Sequence, residues 1–153
     1  MGSGRPAAGT EDKVFVWRQH GRFNVAVHSD APPPDDEWDI VLEHYRNQRS
    51  LRVLVYTQNG APTAAQRVRL NAVLKGREFV VAVLTSSPLA RAAGAALRWF
   101  RPEIRIFNPS ELEAALDYLG ATATERAELP RLLDELKARL GLATSGKTSH
   151  LNY

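Results

Sequence analysis

Apolar and polar residues alternate near the start of the chain. Phe23, Val25 and Val27 interleave with Asn24, Ala26 and His28, the pattern of a strand with one buried and one wetter face. Lys13 to His20 (KVFVWRQH) has similar texture and Gly21 separates it from Arg22 to Ser29 (RFNVAVHS), so the pair predicts a β-hairpin. Pro32, Pro33 and Pro34 keep the next segment extended. Asp35 is then placed to cap a helix to about Arg49, with Trp38, Val41, Leu42 and Tyr45 as its apolar stripe.

From Leu51 the grammar changes. Leu51 to Thr57 (LRVLVYT) and Glu78 to Thr85 (EFVVAVLT) are nearly continuous apolar runs, as expected of strands covered on both faces. Between them Thr63 and Gln66 form a capping box for a helix to about Lys75, and Gly76 can close it. Ser87 as N-cap with Pro88 in the first turn opens another helix, to about Phe100. Ile104 to Asn108 reads as a short strand. Ser110 with Glu113 predicts a capped helix to Leu119, ended by Gly120. A last helix, about 125–140, aligns Leu129, Leu132, Leu133, Leu136 and Leu140, with Pro130 either kinking it or marking its start. The predicted class is α/β, a mixed and mainly parallel sheet with an N-terminal hairpin and covering helices in the order ββαβαβαβαα. The leucine stripe suits its own sheet or a second copy in a homodimer.

Composition bounds this picture. The 153 residues are 44% hydrophobic and 24% charged, enough for one domain to bury a core without disulfides or metals. Zero cysteines exclude disulfides, thiol catalysis and cysteine-ligated metal centres. The domain is expected over 13–140, with flexible tails at 1–12 and 141–153. The first tail lacks the apolar run of a signal peptide, and the longest apolar run, Phe79 to Leu84, is too short for a bilayer. A cytoplasmic protein without a membrane span is the expectation. The formal charge of +3 comes from 16 scattered arginines. Their densest cluster, Arg98, Arg101 and Arg105 around Trp99 and Phe100, is broken by Pro102 and Glu103, which argues against nucleic acid as a partner.

Catalytic motifs are missing. His20, His28, His44 and His150 are scattered, and no HExxH, GxSxG or GxGxxG occurs. Asp35-Asp36-Glu37 reads as a dipole-complementing helix start. Residues 141–148 (GLATSGKT) match the P-loop letters but follow a helix instead of a strand. No enzyme activity, cofactor or metal is therefore expected. In an open parallel sheet, partners and ligands meet the carboxyl ends of the strands. Those loops hold Thr57, Gln58, Asn59, Gly60 and Thr63, then Thr85, Ser86 and Ser87, then Asn108-Pro109-Ser110. Capping explains Thr63, Ser87 and Ser110; a phosphate-sized ligand at the helix starts, or phosphorylation near Thr63, is the alternative.

Taken together, the early strand pair and its helix, Val53 to Arg67 (VLVYTQNGAPTAAQR), Phe79 to Phe100 and Ile104 to Gly120 resemble STAS-like domains, which include anti-sigma factor antagonists and small STAS/SEC14-type bacterial proteins. The resemblance implies a regulatory module of bacterial signalling that docks onto a protein partner, a kinase or other regulator. In that family a Ser or Thr at the helix after a central strand is phosphorylated to break docking. Thr63 and Thr57 are the acceptors this chain offers, with Thr57-Gln58-Asn59-Gly60 and then Thr63 where the family shows an Asp-Ser-Ser-Gly-like sequence. The alternative function is a small-ligand domain binding a nucleotide, lipid or phosphometabolite in the strand-end crevice.

Overall fold

A computed structural model describes residues 13–143. The hairpin pairs β1 (Phe15–His20) with β2 (Phe23–His28), from Phe15 opposite His28 to His20 opposite Phe23. Three parallel strands follow: β3 (Ser50–Thr57) beside β2, β4 (Glu78–Leu84) beside β3, and β5 (Ile104–Phe107) beside β4. The helices are α1 (Asp35–Arg46), α2 (Ala64–Leu74), α3 (Pro88–Phe100), α4 (Leu112–Leu119) and α5 (Ala123–Arg139). Apart from a short 3-10 turn at Pro109–Glu111, this is the order the hydrophobic pattern predicts.

Strand order equals chain order, β1-β2-β3-β4-β5. Each parallel step therefore moves the same way across the sheet, and right-handed crossovers put every connecting helix on one face. Accordingly α1 and α2 bury Trp38, Val41, Leu42, Tyr45, Val73 and Leu74 against one apolar cluster. On α3, Gly94 lies so close to β5 that an added Cβ would sit 2.6 Å from Cδ1 of Ile106. The opposite face is left to α4 and α5, whose Leu116, Leu119, Leu129, Leu132, Leu133 and Leu136 cover Phe23, Val25, Val27 and Leu54. The leucine stripe packs on the chain's own sheet.

Several local expectations are corrected. The wetter face of β2 does not exist: all six residues are buried, because α1 covers Asn24, Ala26 and His28. Asn24 is satisfied by reciprocal hydrogen bonds with Gln48 at 3.1 and 3.2 Å. Pro34, not Asp35, is the N-cap of α1; Asp35 stands in the first turn and accepts from Gln66 Nε2 at 2.9 Å and from Arg69 at 3.0 Å. The expected Ser110 box is displaced by Asn108 and Glu111, which cap the 3-10 turn, so α4 starts at Leu112. Pro130 sits inside α5 and does not start it, because a capping box of Thr122 and Glu125 nucleates the helix two residues earlier than expected. Residues 1–12, and the P-loop-like stretch from Thr144 on, lie outside the described residues.

Salt bridges from α5 to the hairpin, Arg18–Glu135 at 3.0 Å and Arg22–Glu125 at 2.8 Å, and a His20–Glu128 hydrogen bond at 2.8 Å fix the last helix over the first strands. Among the described residues no helix is long and apolar enough to cross a membrane. Leu136, fully buried, is expected to cost about 2–5 kcal/mol when cut to Ala. Leu89→Ala, at a position 62% exposed, should stay within about 0.5 kcal/mol. Urea denaturation measures both.

Candidate functional site

The loops at the carboxyl ends of β2, β3 and β4 are joined into one piece. After β3 the chain folds back on the end of β2: Gln58 N–H donates to His28 O at 3.0 Å, Asn59 N–H to Ser29 O at 2.8 Å and Gly60 N–H to Ser29 O at 2.9 Å. This approach leaves no room at Gly60, where a Cβ would meet the Ala31 carbonyl and lie 2.8 Å from the Ala31 nitrogen. Glycine is required there by contact, not by its turn.

Three of the hydroxyls singled out from the sequence, those of Thr57, Thr85 and Ser87, face inward. Thr57 is buried and donates to the Gly60 carbonyl. Thr85, fully buried, accepts from Ser87 N–H at 3.1 Å. Ser87 accepts from Ala90 N–H at 3.1 Å as the cap of α3 and donates to Asn59 Oδ1 at 2.5 Å, bridging two loops. Thr63 forms the expected box, accepting from Gln66 N–H at 3.1 Å while its own N–H donates to Gln66 Oε1 at 2.9 Å. Thus Thr57, Asn59, Gly60, Thr85 and Ser87 converge, whereas Gln58, Asn59, Thr63 and Ser86 are the exposed members. Beside Ser86, Leu89 is 62% exposed.

Beneath this platform lies a feature the sequence did not announce. Between the sheet and α2 and α3 is an apolar cavity of about 90 Å³, with Val53, Val55, Val81 and Val83 as its floor. Leu70 and Leu74 form one wall; Ala90, Ala93 and Gly94 form the other. Val55, Val81 and Val83 are only partly buried although their strands are interior. Among the described residues of α3, Ala90, Ala93 and Gly94 line the opening and contribute almost no bulk. His28 lines the cavity, 5% exposed, with its ring 4.8 Å from Phe15 and 6.5 Å from Trp38. Its Nδ1 has no hydrogen-bond partner. Burial pushes its pKa down to about 4, so the ring is neutral near pH 7. Two neighbouring polar groups are committed: Trp38 Nε1–H donates to Gln66 O at 3.0 Å, and Thr57 is tied to Gly60. Tyr45 lines the same space, and burial raises its pKa, keeping the hydroxyl protonated.

Other charged groups do not converge. Among the described residues no cluster of three His, Cys, Asp or Glu could hold a metal ion. His20 pairs with Glu128, His44 lies tilted against Trp17 at 4.7 Å with its own Nε2 also lacking a hydrogen-bond partner, and His150 lies outside the described residues. Arg101 donates to Asn71 Oδ1 on α2 at 2.5 Å, while Arg105 lies over the ring of Tyr118 on α4 at 5.1 Å. These arginines belong to different faces of the sheet. The side chains of Trp99 and Phe100 lie outside the described structure. Comparison of the chain with family models, curated proteins and solved structures finds no match.

His28 sets an acid limit on stability. The unfolded chain takes up a proton near pH 6.5 that the folded chain refuses until about pH 4, so stability is full above 6.5 and falls between those values. Denaturation against pH should show a loss on the order of 3 kcal/mol across that window, absent in His28→Phe. Glu125, held down to about 2 by Arg22, adds its own loss only below its usual 4.5.

Proposed function

We propose that the protein is a non-enzymatic, STAS-like regulatory module of bacterial signalling that docks onto a protein partner, a kinase or another regulator, through its strand-end platform. The observation carrying this reading is the Ser87–Asn59 bridge and the three backbone bonds behind it, which hold exposed Gln58, Ser86 and Leu89 on one rigid, uncharged surface. Preorganised loops lose little conformational entropy on docking, and an exposed leucine amid neutral polar groups suits a protein surface better than a charged substrate. The element order is that implied by the STAS resemblance, and the absence of a converged nucleophile–base pair among the described residues favours binding over catalysis.

Of the two acceptors, Thr63 fits a phospho-switch better. It is exposed at the start of α2, where free amides and the helix dipole favour a phosphate. Thr57 is buried with its hydroxyl engaged, so a kinase reaches it only after local opening.

Arginine at Gly60 would strike the Ala31 backbone, so the platform is tested at Gln58 and Ser86. Gln58→Arg and Ser86→Arg should each weaken capture of the partner from the source cells by about tenfold or more, because a charge is then buried unpaired at the interface. Lys75→Glu, at the opposite end of α2, should leave capture unchanged. Equal capture by all variants would remove the platform as the docking surface.

A further inference from the structure

We infer that the cavity beneath α2 and α3 is a binding site for a small, neutral, largely apolar molecule of one-ring size whose single hydrogen-bonding group reaches Nδ1 of His28. The inference stands apart from the docking reading, since it rests on the cavity and the unpaired nitrogen and not on the platform surface.

The size follows from the walls. A dry protein cavity of roughly 150 Å³ accepts benzene; this one measures about 90 Å³. It is not sealed, because Val55, Val81 and Val83 on its floor remain partly accessible. A single ring can therefore enter with one edge left at the mouth, whereas a long acyl chain exceeds the space. The gap is built into the helix: Ala90, Ala93 and Gly94 face the sheet, and Gly94 already stands against Ile106, so α3 cannot settle deeper to close it.

The polar requirement follows from His28. A buried ring nitrogen without a partner loses its solvation and gains nothing in return, a penalty that native interiors rarely tolerate. Asn24, four residues earlier on the same strand face, has its amide paired with Gln48. His28 has no such arrangement, and its ring is held in place by Phe15 and Trp38. The nitrogen donates or accepts according to tautomer, and a hydroxyl satisfies either. Among the described residues no Lys or Arg lines the cavity. A phosphate would be desolvated there without a counter-charge, so nucleotides and phosphometabolites do not fit.

Phenol and toluene, alike in shape but differing in the hydroxyl, separate the two halves of the inference. The full chain with isotope-labelled histidine is titrated with each while ring and methyl resonances are followed by NMR. Both should bind, and phenol alone should move the His28 ring nitrogens. In His28→Phe the phenol-to-toluene affinity ratio should fall about fivefold, the worth of one neutral hydrogen bond. Ala93→Leu, which fills the gap from α3, should abolish both; Ala93→Val, a smaller filling, should weaken both and serves if the leucine variant does not fold. Absence of binding by either compound overturns the site. Unchanged ratio in His28→Phe, or phenol leaving the His28 nitrogens unmoved, overturns the role of His28 and fits a nitrogen served only by water.

Discussion

The handedness of the crossover connection is the constraint on which the rest of this structure depends. Because the parallel strands are laid down in chain order, a right-handed return after β2, β3 and β4 delivers α1, α2 and α3 to the same face. That face must accommodate three helices over a sheet of five short strands. The opposite face receives nothing until the chain has passed β5, and only α4 and α5 remain to cover it. The monotonic order also means that the sheet has no point where strand order reverses. The crevice usual in doubly wound sheets, where helices diverge to either side, is therefore not formed here. Space for a ligand has to come from side-chain size instead, and α3 supplies it.

Two uses of polar groups stand side by side in the result. At the strand ends, hydroxyls and amides of Thr57, Asn59, Thr85 and Ser87 are consumed in fastening loops to one another, which is why an uncharged surface can be rigid. One layer below, His28 is buried to a similar extent and fastened to nothing through Nδ1. The loops obey the rule that buried polar groups are paired, and the cavity breaks it.

Most of the architecture was legible because its signals are local. Capping boxes at Thr63 and Thr122 and the cap at Ser87 act through residues three apart, and continuous apolar runs mark β3 and β4 as interior strands. The Thr122 box is equally local, with Glu125 in the required position, and it moves the start of α5 ahead of the leucine stripe that marks the helix in the sequence. The errors are equally instructive. Asn24, Ala26 and His28 look like a wet face because alternation reports polarity, while coverage of β2 by α1 is a tertiary fact. Gly60 reads as a turn glycine, yet its constraint is the backbone of Ala31, far away in the chain. The strand-end residues stand out in the sequence as a group, but whether a hydroxyl points outward or ties two loops together depends on partners in other elements. The cavity depends on how α3 is set against β5, and no pattern along one segment encodes that distance.

The return of α5 to the hairpin has a consequence for how the protein is made. Val16, Phe23, Val25 and Val27 are covered by a helix that ends at Arg139. At ribosomal rates of about 5–20 residues per second, roughly 5 to 20 seconds separate synthesis of the hairpin from synthesis of its cover. During that interval the nascent sheet can grow strand by strand on one side while its other side stays bare. The last helix thus acts as a seal on the earliest strands, and the unfinished chain is a natural client for whatever holds apolar surface apart in the cell.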